Sequence, residues 1–192
     1  MSLHRPSQSA HHKTRHDFQD QALERTFLTA VRLAEQGRCA EALGHLATAI
    51  SSDQIRNARA VCLMRSGSVT AALEMLRGVV FRPGTLQQRD DIPVIYQTNF
   101  CTVLLLTGRP GGCREVLAEI RDQQHPSVLR LRETLRKWEK TLPFFQWLNW
   151  KMGVAPSVPV PVEFTPGEFI EPSSTTAPDN ESAAASADPS KT

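Results

Sequence analysis

Residues 37–49, with the sequence GRCAEALGHLATA, decide the fold of this chain. Counted from Gly37, a small residue lies at position +5, a leucine at +9 and another small residue at +12. Glycine often ends a helix because it readily adopts the left-handed backbone conformation. The later small and apolar residues have the spacing of one helix face. The stretch therefore predicts a corner between two helices, with Gly37 at the corner.

The same pattern recurs twice along the chain. Residues 67–79 are GSVTAALEMLRGV and residues 108–120 are GRPGGCREVLAEI, each again starting at a glycine. Upstream of every one of these glycines, a small residue lies at −7 and a leucine at −4. The matching residues are Ala30, Leu33, Ala42, Leu46 and Ala49 in the first copy, Ala60, Leu63, Ala72, Leu76 and Val79 in the second, and Cys101, Leu104, Cys113, Leu117 and Ile120 in the third. Three copies of a helix–glycine–helix pattern predict an all-α repeat protein.

Composition agrees with one helical domain that carries tails. The chain has 192 residues, of which 40% are apolar but only 6% aromatic, and this balance suits helices better than sheets. Its formal net charge is +2, and residues 154–192 hold six acidic residues against Lys191. The remainder is not basic enough to predict nucleic-acid binding. The basic helix over residues 127–140 is also explained by a solvated, ion-paired face.

The sequence divides into three parts. Residues 1–16 are polar and predict a flexible N-terminal arm, and Asp17 is a candidate N-cap for the first helix. Residues 17–153 form the predicted helical domain, interrupted by an insertion over residues 82–92. Residues 154–192 alternate Val with Pro at first and then become rich in Ser, Ala, Pro and acids, which predicts a disordered tail.

Two further helices are predicted after the third copy. Residues 127–140 place Leu131, Leu135 and Trp138 on one face, which suits a helix that caps a repeat stack. Residues 144–152, FFQWLNWKM, predict a short aromatic helix. Its large side chains form a candidate second interaction surface: Phe144, Phe145, Trp147 and Trp150. Three roles remain open for this helix: it packs on the repeats, it docks a partner, or it contacts a membrane surface.

The three copies resemble tetratricopeptide repeats, in which a unit of about 34 residues forms two antiparallel helices. The resemblance covers residues 22–125. It departs from the family in spacing, because the corner glycines are 30 and then 41 residues apart, and in the use of Cys at both small sites of the third copy. The resemblance implies a right-handed helical-repeat solenoid of three helix pairs, with C-terminal capping helices and disordered termini.

In that family the first helix of each unit lines a groove that holds a partner's peptide or helix. The resemblance therefore assigns the groove to these residues: Phe27, Val31, Asn57, Val61, Met64, Arg65, Ile95, Thr98, Thr102 and Leu105. A substantially apolar lining with one clear cation suits a segment that has hydrophobic anchors. Two alternatives remain open, since the groove is either free for a partner or filled by residues 154–166, which are extended and tethered beside the last helix.

The sequence thus predicts a non-catalytic adaptor or scaffold that binds another protein. A small secretion-type chaperone is one alternative, and a peripheral membrane adaptor that uses residues 144–152 is another. No enzyme activity, cofactor, metal or small-molecule substrate is expected, because the sequence has no phosphate-binding glycine loop and no nucleophile elbow. The histidines of residues 1–16 lack a Cys or acid at ligand spacing.

Four cysteines show no CxxC pair, and each falls inside a predicted helix: Cys39, Cys62, Cys101 and Cys113. There a free thiol behaves as a small apolar residue. Reduced thiols, together with the lack of a long apolar run or a secretory signal, favour a cytoplasmic protein.

Overall fold

The structure, a computed structural model, describes residues 9–170, with side chains from residue 21 onward. This part of the chain is all-helical, and its only β pairing is an isolated bridge between Phe81 and Gln88. The helices are α1 (Ser9–Glu35), α2 (Cys39–Ala47), α3 (Asp53–Arg65), α4 (Val69–Val80), α5 (Val94–Leu106), α6 (Pro110–Glu119), α7 (Pro126–Thr141) and α8 (Phe144–Lys151). The predicted all-α class is confirmed for these residues.

The corners after α1, α3 and α5 are built in the same way. Gly37, Gly67 and Gly108 have φ angles of 78°, 83° and 70°, in the left-handed region. At every corner the glycine N–H donates to the carbonyl three residues earlier, and the next N–H donates to the carbonyl five residues earlier. These paired bonds satisfy carbonyls that a helix end otherwise leaves without partners. The repeated glycines of the sequence are therefore repeated helix ends.

The small residues of the repeated pattern lie where helices cross. Residues at the −7 and +5 positions have no exposed surface, and the leucines at +9 are at most 3% exposed. They are Ala30, Ala60 and Cys101, then Ala42, Ala72 and Cys113, then Leu46, Leu76 and Leu117. Small side chains let two helix backbones approach closely, and the leucines fill the space beside each crossing.

Each helix from α1 to α6 packs against the next helix in the chain. The odd-numbered helices α1, α3, α5 and α7 also contact one another in turn, so they form a row. Helix α7 packs on α5 and α6 and buries Leu131, Leu135 and Trp138 there. This is the face that the sequence assigns to a capping helix.

The insertion of residues 82–92 is fastened to the helices by Arg89. Its guanidinium pairs with Asp53 at 2.7 Å and with Asp91 at 2.9 Å, and it also donates to the Val79 carbonyl. Hydrogen bonds from Arg89 lower the pKa of Asp91, and the bonds to Asp91 and Asp53 raise the pKa of Arg89. Because Asp53 is the first residue of α3, the insertion is tied back to the preceding helix pair.

Both ends of the helical domain differ from the predicted boundaries. Helix α1 begins at Ser9, eight residues before the expected cap at Asp17. At the other end, the tail expected to be disordered from residue 154 is packed against the helices as far as Phe169, because its alternating residues place one face on the core. The remaining parts of the predicted arm and tail, residues 1–8 and 171–192, lie outside the described residues.

Among residues 9–170, every helix is too short or too polar to cross a lipid bilayer.

Substitutions at two glycines of the second helix pair test the effects of backbone strain and of helix propensity separately. Gly67→Ala should lower the free energy of unfolding by about 1 kcal/mol, because an L-residue is strained at this left-handed corner. Gly78→Ala, at an exposed position inside α4, should raise it by roughly 0.5–1 kcal/mol. Urea unfolding followed by circular dichroism measures both. Equal effects of the two substitutions would contradict the assigned role of Gly67.

Candidate functional site

An extended segment over residues 156–169, here called the C-terminal segment, lies against the odd-numbered helices. Along residues 156–166 the even-numbered residues are less exposed than the odd-numbered ones, so one face is turned to the helices. The inward apolar side chains Val158, Val160, Val162 and Phe164 join the main core cluster. Proline at alternate positions restricts the backbone before docking and so reduces the entropy that docking costs.

Two buried asparagines hold the backbone of this segment at Glu168. Asn99 receives the Glu168 N–H on its Oδ1 at 2.8 Å and donates its Nδ2 to the Glu168 carbonyl at 2.7 Å. Asn57 donates to the same carbonyl at 3.2 Å, and its Oδ1 accepts from Asn99 Nδ2 at 2.8 Å. Both side chains are at most 2% exposed, so these bonds satisfy amides that would be costly to bury without partners.

Arg65 at the end of α3 holds the same stretch from one side. Its Nε donates to the Pro166 carbonyl at 3.0 Å and its Nη2 to the Gly167 carbonyl at 2.9 Å. Its guanidinium also lies 4.8 Å from the centre of the Phe169 ring, within cation–π distance. Arg65 thus contacts the segment through both its backbone and an aromatic anchor.

Helix α7 binds the acidic side chain of the segment. The Glu168 carboxylate accepts a hydrogen bond from Ser127 and pairs with Arg130 at 2.6 Å. The Arg130 guanidinium also lies 4.6 Å from the centre of the Phe164 ring. Ser127 is fully buried, so the carboxylate is held at the edge of the core rather than in open solvent.

Gly167 marks the closest approach of the segment to the helices. A Cβ atom there would lie 2.8 Å from Met64 Cε and 2.9 Å from both Val61 methyl carbons. The residue also has a φ of 79°, which side-chain-bearing residues rarely adopt. Only glycine fits this position in the present arrangement.

The residues that contact the segment, here called the groove, only partly match the sequence prediction. Of the ten predicted residues, Asn57, Val61, Met64 and Arg65 contact or approach the segment. Phe27, Val31 and Leu105 are buried in the main core cluster, to which Val61, Met64 and the segment's Val160 and Phe169 also belong. Ile95 packs with Val79 and Tyr96 in a separate cluster. Thr98 and Thr102 are buried and donate their hydroxyls to carbonyls of their own helix.

Three further groove residues were missed by the sequence prediction: Asn99, Ser127 and Arg130. A signal for Asn99 exists, because an amide in the middle of a largely apolar helix needs a hydrogen-bond partner when it is buried.

The aromatic helix α8 is divided between core and surface. Trp150 is 3% exposed and packs edge-to-face on Trp138, and Arg114 stacks over its ring at 4.0 Å. Phe144 and Phe145 are 67% and 77% exposed, and Trp147 is 37% exposed. Of the four aromatic residues predicted as a second interaction surface, one therefore belongs to the core and three form a surface cluster.

The cysteines and the potential metal ligands of residues 21–170 have the following environments. All four cysteines are free and buried, and burial raises the pKa of the Cys62 thiol to about 12 and also raises that of Cys101. A thiol with a raised pKa is a poor nucleophile. From residue 21 to residue 170, no three His, Cys, Asp or Glu side chains are grouped so as to hold a metal ion.

No protein-family model, curated protein sequence or solved structure matches the chain. At the site itself, two buried asparagines bond to the N–H and the carbonyl of one residue, Glu168, of an extended segment.

Gly167→Ala should release the C-terminal segment, because the added methyl group meets Val61 and Met64. Overpacking of this kind costs about 1–3 kcal/mol, so exchange of the Glu168 N–H, which donates to Asn99, should be roughly 5- to 150-fold faster. Gly153→Ala is the matched control, since Gly153 has a similar φ of 88° but nothing within 4 Å of the added Cβ. Hydrogen exchange followed by mass spectrometry measures both variants. Equal exchange in this segment would show that the close approach at Gly167 does not hold it.

Proposed function

We propose that this chain is a non-catalytic protein-binding module whose groove holds an extended segment of a partner protein. The observation that carries the proposal is the bonding of Asn57 and Asn99 to the N–H and C=O of one residue, Glu168. Backbone bonds of this kind recognise an extended chain, and side-chain pockets add specificity. The chain's own C-terminal segment illustrates the shape and chemistry that the groove accepts.

The architecture that we propose for this function is a right-handed solenoid of tetratricopeptide-type helix pairs. Three features support it: the repeated corners at Gly37, Gly67 and Gly108, the packing of each helix on its neighbour, and the row of odd-numbered helices. In such an array a continuous surface forms across successive units and is suited to extended ligands.

The features of the groove favour one class of ligand. The groove contacts three successive residues of the segment: Gly167, which has no side chain, the acidic Glu168 and the aromatic Phe169. A second aromatic ring, that of Phe164, lies against Arg130. A partner segment with glycine, acid and aromatic residues in this order would make the same contacts. This selectivity favours an adaptor with few partners over a chaperone that accepts many segments.

A partner must compete with the tethered segment. For short flexible linkers the effective concentration of a tethered ligand is on the order of millimolar, so an added peptide binds the intact chain weakly. Loss of the contacts at Gly167 and Phe169 should weaken this competition, because Gly167 lies against α3 and Phe169 is buried in the core. The groove would then be open to a segment supplied from outside.

Peptide binding to an opened chain tests the function. The opened variant is the full chain with Gly167→Val and Phe169→Ser, and the probe is a fluorescent peptide with the sequence of residues 156–170. Fluorescence anisotropy should show binding at least about tenfold tighter to this variant than to the unaltered chain, since the competing segment is displaced.

The control substitutions are made in the opened variant. Asn99→Ala should weaken peptide binding about tenfold, because it removes two charge-neutral hydrogen bonds to the peptide backbone. Arg77→Ala on α4, whose side chain lies outside the groove, should leave binding unchanged. Circular dichroism checks that each variant is folded. An opened, folded variant that fails to bind the peptide would refute the groove as a peptide receptor.

A further inference from the structure

Helices α6, α7 and α8 border a cavity of about 310 Å³ whose lining includes four cations. Its charged residues are Arg114, Arg132, Arg136, Lys151 and one carboxylate, Glu139. Trp150 and Leu135 are among the apolar residues beside them. The cavity lies away from the contacts that hold the C-terminal segment.

Part of this positive charge is already paired. Lys151 forms an ion pair with Glu139, and Arg136 pairs with Glu133 at 2.5 Å. Arg132 and Arg136 are one turn apart on α7, and like charges at that spacing repel each other. Even with both carboxylates counted, positive charge is in excess around the cavity. Its size and charge suit an anionic group such as a phosphate.

The exposed aromatic cluster of α8 is continuous with the rim of this cavity. The Lys151 ammonium lies 5.8 Å from the Trp147 ring centre, and the Trp147 ring stacks with that of Phe144 at 6.1 Å. Phe144 in turn contacts Phe145 edge-to-face at 5.6 Å. A path of contacts therefore leads from a basic cavity to large apolar side chains that are mostly in solvent.

We propose that α8 and this basic cavity bind the surface of a membrane that contains anionic lipids. Phe144, Phe145 and Trp147 would lie at the depth of the headgroups, where aromatic side chains are favoured. The phosphate of an anionic lipid would occupy the cavity beside Arg132 and Arg136. In this arrangement the exposed rings leave water, and the excess positive charge gains anionic partners.

Charge decides against a second copy of the chain as the occupant. In a two-fold symmetric dimer the same patch meets itself, so cations from one protomer would approach those of its partner. A zwitterionic membrane would cover the rings, but it has no net negative charge to attract the cations. An anionic membrane is complementary to both parts of the surface.

Vesicle binding of the full chain tests the proposal. Trp138 and Trp150 are 2% and 3% exposed, so a blue shift of tryptophan emission on binding reports Trp147. Co-sedimentation and emission are measured with phosphatidylcholine vesicles, with and without phosphatidylglycerol. Binding and a blue shift are expected only with phosphatidylglycerol, and both should weaken as salt is added.

Matched variants separate the two parts of the surface. Phe144→Ser with Phe145→Ser should abolish the blue shift and weaken binding about tenfold or more. Arg132→Glu should also weaken binding about tenfold or more, since each cation near an anionic surface strengthens it about fivefold and this change reverses one. Leu86→Ser, at a residue 77% exposed on the insertion, and Arg25→Glu on α1 are the controls and should bind as the unaltered chain does.

Several outcomes would overturn the proposal. Equal binding to neutral vesicles would show that the cations of the cavity do not contribute to binding. No binding to phosphatidylglycerol vesicles would show that the chain does not bind an anionic membrane. Binding of inorganic phosphate without vesicle binding would leave only an anion site. Sedimentation velocity that shows a dimer, lost in the Phe144→Ser and Phe145→Ser variant, would assign the aromatic cluster to self-association. None of these results depends on whether the groove binds a peptide.

Discussion

The hydrogen bonds of Asn57 and Asn99 to the backbone of Glu168 join α3, α5 and the C-terminal segment at one buried point. A buried amide that loses its partner costs about 1–3 kcal/mol, so these two side chains require a peptide backbone, or water in its place, against the helices. This requirement explains why the segment packs to the end of its described length although it forms no ladder with a strand. The same bonds fix which residue of the segment faces each helix, and so they align Gly167 with Val61 and Met64.

Much of the fold follows from the sequence because each glycine corner marks both the end of a helix and the position of the next buried helix face. A glycine in the left-handed conformation ends one helix, and residues at fixed distances after it form the buried face of the next helix. Gly37, Gly67 and Gly108 therefore mark three helix pairs from the local sequence alone. The two ends were predicted less well. Residues 9–16 are polar enough to suggest an arm, yet α1 begins at Ser9. The alternation of Val and Pro excludes a helix, but it does not exclude an extended segment that packs.

The sequence prediction names residues of α3 that contact the C-terminal segment, but it names none of the residues of α5 and α7 whose side chains bond to it. On α3 the prediction includes two polar residues, Asn57 and Arg65, and both donate hydrogen bonds to the backbone of the segment. On α5 every residue from Ile95 to Leu105 is buried, so apolar spacing cannot indicate which side faces the groove. An error of one residue turns a helix by about 100°, which is why Thr98 was predicted in the place of Asn99. On α7 the role of Arg130 depends on Glu168, a residue distant in sequence.

The path of the C-terminal segment across α3, α5 and α7 bears on how the chain unfolds. In an array of helix pairs, stability is close to a sum of each unit and its nearest neighbours, so one end can fray while the other holds. Here a single segment contacts three odd-numbered helices, and Arg89 links the insertion back to Asp53. The segment thereby couples α3 and α5 to α7. These contacts make the helices from α3 to α7 one cooperative unit, whereas they do not hold α1 and α2, which can therefore open separately.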